Sequence, residues 1–142
     1  MVDPARVRRL LTALSENRAR LSELASMPVD RYVEQQAFAG RYLVQASAQV
    51  CIDLANHLIS SEGWRVPRDF RDAFTVLEER GIMDAGLAER IRALVGLRNR
   101  LVHLYAEVDD SRVHRALSEG LGDLDTFARD VATFVEGQPP EK

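Results

Sequence analysis

From Pro4 to Gly137 the apolar residues recur at the three-and-four spacing of an α-helix, and no stretch sustains the period-two alternation of a half-buried strand. Proline, glycine and aspartate divide that pattern into segments. Asp3-Pro4 reads as an N-cap followed by proline at the first helical position, after which Val7, Leu10, Leu11, Leu14, Leu21 and Leu24 share a face, so a first helix is expected over roughly 4–26, ended by Pro28. A second start at Asp30 runs without proline to Gly63. Its apolar residues, among them Phe38, Leu43, Val44, Ile52, Leu58 and Ile59, are spread so widely that this long helix must be contacted from more than one side. Arg68 to Glu79 carries a short helix with Phe70, Phe74 and Leu77 on one face, closed by Gly81. Asp84 caps a helix reaching about Tyr105, and Asp109 or Asp110 opens a last one ending near Gly137. The expected fold is all-α: an antiparallel bundle of four long helices plus one short helix.

The 142 residues fit one domain, expected over 1–137, with 138–142 as a flexible C-terminal tail. Nineteen basic against 22 acidic side chains give a formal net charge of −3, which argues against coating nucleic acid by bulk charge and makes any polyanion contact local. Cys51 is the sole cysteine and no secretory leader is read at the start, so a cytoplasmic protein is expected. No apolar run reaches the length of a membrane span. His57, His114 and Cys51 lack metal-ligand spacing, and phosphate-cradling loops, nucleophile elbows and dinucleotide fingerprints are absent. Neither a metal nor a cofactor is expected.

One residue disturbs the pattern. Stepping about 100° per residue along the fourth expected helix, Leu87, Ile91, Leu94, Val95, Leu101 and Val102 all fall within about 60° of Arg98, which therefore projects from the middle of the apolar stripe. An unpaired guanidinium there is costly to desolvate, so it must have a carboxylate partner such as Asp53 or Glu79, or reach an interface where an anion meets it. Asn99 and His103 share a face four residues apart, with Gly96 beside His103. His103 lies about 140° from Arg98, awkward for a site on one helix and natural where two copies of the helix face each other. A composite site across a homodimer is the expectation. On the second helix Gln45, Gln49, Asp53, Asn56 and Ser60 form a polar stripe, read as an ordinary solvated face with ligand lining as the minor alternative. Arg6, Arg8, Arg9, Arg65, Arg68 and Arg71 read as solvated surface arginines before they read as phosphate contacts.

Arg98 to Tyr105 has the form R-x4-H-x-Y, and with it the sequence resembles HepT toxins of the HEPN superfamily of helical ribonucleases. The likeness extends to Asp53-Leu54-Ala55-Asn56-His57, the Pro67 to Leu77 segment, Gly96-Leu97 and Val108-Asp109, over roughly residues 5–136. It implies a metal-independent endoribonuclease toxin of a type VII-like toxin–antitoxin pair. Its partners would be RNA, a second copy of itself, and a minimal nucleotidyltransferase antitoxin that transfers AMP to Tyr105. Arg98 and His103 would be catalytic, Asn99 supporting, and Arg100 a possible RNA contact. These residue types suit metal-free RNA cleavage: imidazole exchanges protons near neutral pH, and guanidinium stabilises charge developing on phosphoryl oxygens. The alternative is a catalytically silent helical partner, or a substrate-binding subunit, of a nucleotidyltransferase.

Overall fold

Caps set the ends of the helices. In the computed structural model, which describes residues 1–103 and 107–138, the Asp3 carboxylate accepts from the Ala5 and Arg6 amides at 3.1 and 3.2 Å, and Pro4 opens α1 (Pro4–Ala25). Its buried face is Val7, Leu14, Leu21 and Leu24. Two helices, α2 (Val29–Gln35) and α3 (Ala37–Glu62), follow where the sequence predicts one continuous helix from Asp30 to Gly63. The chain breaks at Gln36, at φ −130° and ψ 10°.

Packing causes that break. Tyr32 is fully buried, and its ring lies 4.8 Å from the His114 ring. Its hydroxyl closes on Gly40, where a Cβ would collide with it. Burial, then the nearby Asp110 carboxylate, pushes the phenol up to about 12. Neither Tyr32 nor Gly40 carries a helix-stop signal, so only the tertiary fit reveals the bend.

The core is organised around α3, which buries residues from Leu43 to Ile59 and ends on Gly63 in the left-handed conformation (φ 68°). After it, Asp69 caps α4 (Phe70–Glu79) by accepting from the Asp72 amide at 2.7 Å; the helix thus begins two residues later than Arg68. Gly81, at φ 74°, turns the chain, and the Asp84 carboxylate accepts from the Leu87 amide at 2.8 Å over the first turn of α5 (Ala85–His103). Asp109 caps α6 (Asp110–Glu136). Against α3 pack α1, α4, α5 and α6, with Phe74 and Phe127 meeting edge to face at 5.8 Å. Each such ring removed from water contributes about 1.5–3 kcal/mol. Among the described residues the protein is all-helical, with six helices, and no helix is long and apolar enough to cross a membrane. Of the expected tail, 139–142 lie outside the described residues.

Candidate functional site

Leu87, Ile91, Val95 and Leu101 of α5 are buried against the core, and Arg98 emerges half-buried in line with them, as its helical phase requires. Its Nη1 donates to Asn99 Oδ1 at 3.0 Å and its Nη2 to Gln49 Oε1 at 2.9 Å. The Phe70 ring lies 5.4 Å from the guanidinium carbon, within cation–π range. Arg98 is in none of the ion pairs among the described residues. The carboxylate partners open to it in the sequence are otherwise engaged. Asp53 accepts instead from Gln49 Nε2 at 2.9 Å, and Glu79 is held by Arg65 at 2.7 Å.

The result is a relay, Asp53 to Gln49 to Arg98 to Asn99, that fixes the plane of the fork without neutralising it. Two of the residues that touch Arg98 were not singled out by the sequence as parts of a site. Gln49 stood within a stripe that looks like any solvated helix face; what distinguishes it is only that α3 packs beside α5. Phe70 was expected on the core face of α4 with Phe74 and Leu77, but it is 41% exposed and turned to Arg98.

Asn99 is half-buried, whereas His103 is exposed at the last turn of α5. Tyr105 lies outside the described residues. Arg100 points away from Arg98, onto the rim of the cleft between α5 and α6. At Gly96 a Cβ would meet nothing within 4 Å, so the packing of this chain does not itself require glycine there.

The remaining candidates are structural. His57 Nε2 accepts from the Asp3 amide at 3.0 Å, and burial, then the neighbouring Arg6, pulls its pKa down. His114 Nε2 lies 2.9 Å from the Met27 carbonyl. Cys51 is fully buried and its thiol is pushed up to about 12, away from nucleophilic chemistry. Arg65 grips both Asp72 and Glu79, while Arg6, Arg8, Arg9, Arg68 and Arg71 are exposed. Among the described residues no three His, Cys, Asp or Glu side chains converge as a metal site would need.

The family described as Ribonuclease HepT-like matches residues 14–131, a span containing α5 with the whole Arg98 relay. The chain belongs to that family. Among HepT relatives it is 32% identical over 84 residues to "mRNA nuclease HepT" of Shewanella oneidensis, 59% of this chain and 63% of that protein. It is 28% identical over 138 residues to "tRNA nuclease HepT" of Aphanizomenon flos-aquae, 94% of this chain and 92% of that one. Its fold is that of a solved tri-AMPylated Shewanella oneidensis HEPN toxin in complex with MNT antitoxin. There the TM-score is 0.81 at 22% identity, over 89% of this chain and 96% of the other. It also matches the cytosolic protein YutE of Bacillus subtilis, of unknown function, with TM-score 0.85 at 16% identity over 99% and 96% of the two chains.

Proposed function

We propose that this HepT-family protein is a metal-independent endoribonuclease toxin, acting in the cytoplasm as a homodimer and neutralised by a minimal nucleotidyltransferase antitoxin that transfers AMP to Tyr105. The observation that carries the reading is the state of Arg98. A half-buried guanidinium held by amide oxygens at both Nη atoms keeps its whole charge for an incoming anion, where a carboxylate partner would cancel it.

The chemistry follows from RNA itself. The 2′-oxygen attacks the adjacent phosphorus and the bond to the 5′-oxygen breaks, leaving a 2′,3′-cyclic phosphate and a 5′-hydroxyl. Negative charge grows on the non-bridging oxygens, and Arg98, its plane fixed by Gln49 and Asn99, donates to them more strongly as it grows. His103 takes the proton from the 2′-hydroxyl or gives one to the departing 5′-oxygen, and water carries the other of the two proton transfers. Solvent exposure at the end of α5 leaves its imidazole accessible to substrate, and Arg100 adds a phosphate contact at the periphery.

Assembly as a two-fold dimer is favoured by the face of α3 that carries Gln49. Tyr42 and Phe38 lie within about 20° of it on the same helix, and they are 66% and 80% exposed. A second copy covering this apolar strip would approach Arg98 and bring its own His103 toward it.

RNA digestion in EDTA tests the function. Wild-type protein should cut and leave 2′,3′-cyclic phosphate ends, while Arg98→Ala and His103→Ala each remove cleavage by 100-fold or more, that is ~10²–10⁴-fold. Loss of wild-type cleavage in EDTA, restored by a divalent ion, would reject the metal-free mechanism; no cleavage by a folded dimer would favour a silent docking subunit. For Tyr105, co-expression with the nucleotidyltransferase followed by mass spectrometry should find AMP adducts on the wild type and none at residue 105 of Tyr105→Phe, which stays toxic. Full neutralisation of unmodified protein would contradict AMP transfer.

A further inference from the structure

The chain leading into α4 is tied down by the buried Asp72. Its carboxylate accepts from the Arg68 amide at 2.9 Å and from Arg65 Nη1 at 2.8 Å, while its own amide donates to the Asp69 side chain at 2.7 Å. Between these anchors stands Phe70, the first residue of the helix, in phase with the buried Phe74 and Leu77. Its place at the helix end keeps it out of the core all the same: it is 41% exposed, with the Arg98 guanidinium over the ring at 5.4 Å. Arg68 and Arg71, both exposed, flank it in the sequence. An aromatic ring is thus held on a fixed backbone, open to solvent beside the candidate catalytic arginine.

A guanidinium and an exposed ring side by side match the two halves of a nucleotide, an anionic phosphate and a base with a π-face. The bonds to Asn99 and Gln49 use one N–H on each Nη of Arg98, so others of its five donors remain for a phosphate. A base lies one sugar away from its phosphate, on the scale of the separation between the Phe70 ring and the Arg98 guanidinium carbon. Only an unpaired base can take the ring as its neighbour, because in a duplex both faces are already stacked and the base edges lie within the grooves.

We propose that Phe70 is a stacking platform for an unpaired base of the RNA next to the phosphate held by Arg98, which makes single-stranded RNA the substrate. The platform rests on the ribonuclease reading for its ligand and adds to it a residue that selects the form of the RNA. Because every base has a π-face, the selection is for a free base and tolerates sequence. Arg68 and Arg71 supply charge for the phosphates on either side.

The test is fluorescence anisotropy of the full chain with a labelled single-stranded 2′-O-methyl RNA octamer of mixed sequence, whose blocked 2′-oxygen prevents cleavage, and with an abasic strand of the same backbone. Wild-type protein should bind the base-bearing strand about tenfold more tightly, one stacked base's worth. Phe70→Trp, with a larger aromatic face, should keep that preference. Phe70→Leu, which keeps an apolar side chain at the start of α4, should lose it while the thermal transition is retained. Equal affinity of the wild type for the two strands overturns the platform. So does a preference unchanged in Phe70→Leu, including an equal loss on both strands, which would mean that the ring only holds Arg98 in place. Cleavage of unmodified RNA is scored separately. Wild-type protein that cuts RNA without preferring the base-bearing strand removes the platform and leaves the ribonuclease reading standing, whereas preference without cleavage removes the ribonuclease reading and keeps the platform.

Discussion

Two arginines of this chain solve the same problem in opposite ways. Arg65 holds Asp72 and Glu79, and its hydrogen bonds keep the Asp72 carboxyl far below the usual carboxylate range, so its charge is spent inside the fold. Arg98 uses the side-chain oxygens of Asn99 and Gln49 and remains a net cation. Gln49→Glu separates these roles. Placing a carboxylate on Arg98 Nη2 gains a charge-assisted hydrogen bond but loses the one to Asp53 and faces its carboxylate, so stability should change by less than about 1 kcal/mol while RNA cleavage falls at least tenfold. Paired thermal and cleavage assays check both; full activity in the folded variant would mean that Arg98 is only structural. The place of Arg98 was legible in the sequence, because helical phase alone puts an arginine in an apolar stripe, whereas the roles of Asn99 and His103 rest on the family resemblance. Gln49 and Phe70 were not legible, because their part depends on α3 and α4 lying beside α5, which no local pattern encodes.

At the level of elements, caps were the most readable feature: Asp3, Asp84 and Asp109 each accept backbone amides at the helix starts where the sequence put them. The bend at Gln36 was illegible, since it follows from Tyr32 entering the core against Gly40. Gly40→Ala should therefore cost about 1–3 kcal/mol through overpacking, although alanine is the better helix former. Calorimetry should find a melting temperature lower by roughly 5 °C. Tyr32→Phe, which removes a hydroxyl that has no partner among the described residues, should recover much of that loss in the double variant. An unchanged transition in Gly40→Ala would contradict this origin of the bend.

For the whole molecule, the single-helix geometry of the motif is the controlling feature: about 100° per residue puts His103 some 140° around α5 from Arg98, which favours a site shared between two copies over one built on a single helix. The exposed Phe38 and Tyr42 beside Gln49 offer the surface on which a second copy would complete the arrangement. The decisive measurement is RNA cleavage by purified mixed dimers of Arg98→Ala and His103→Ala chains, isolated through two different tags. If each site takes Arg98 from one protomer and His103 from the other, one of two sites is intact and about half of wild-type activity returns. Mixed dimers as inactive as the two parent variants would contradict a composite site.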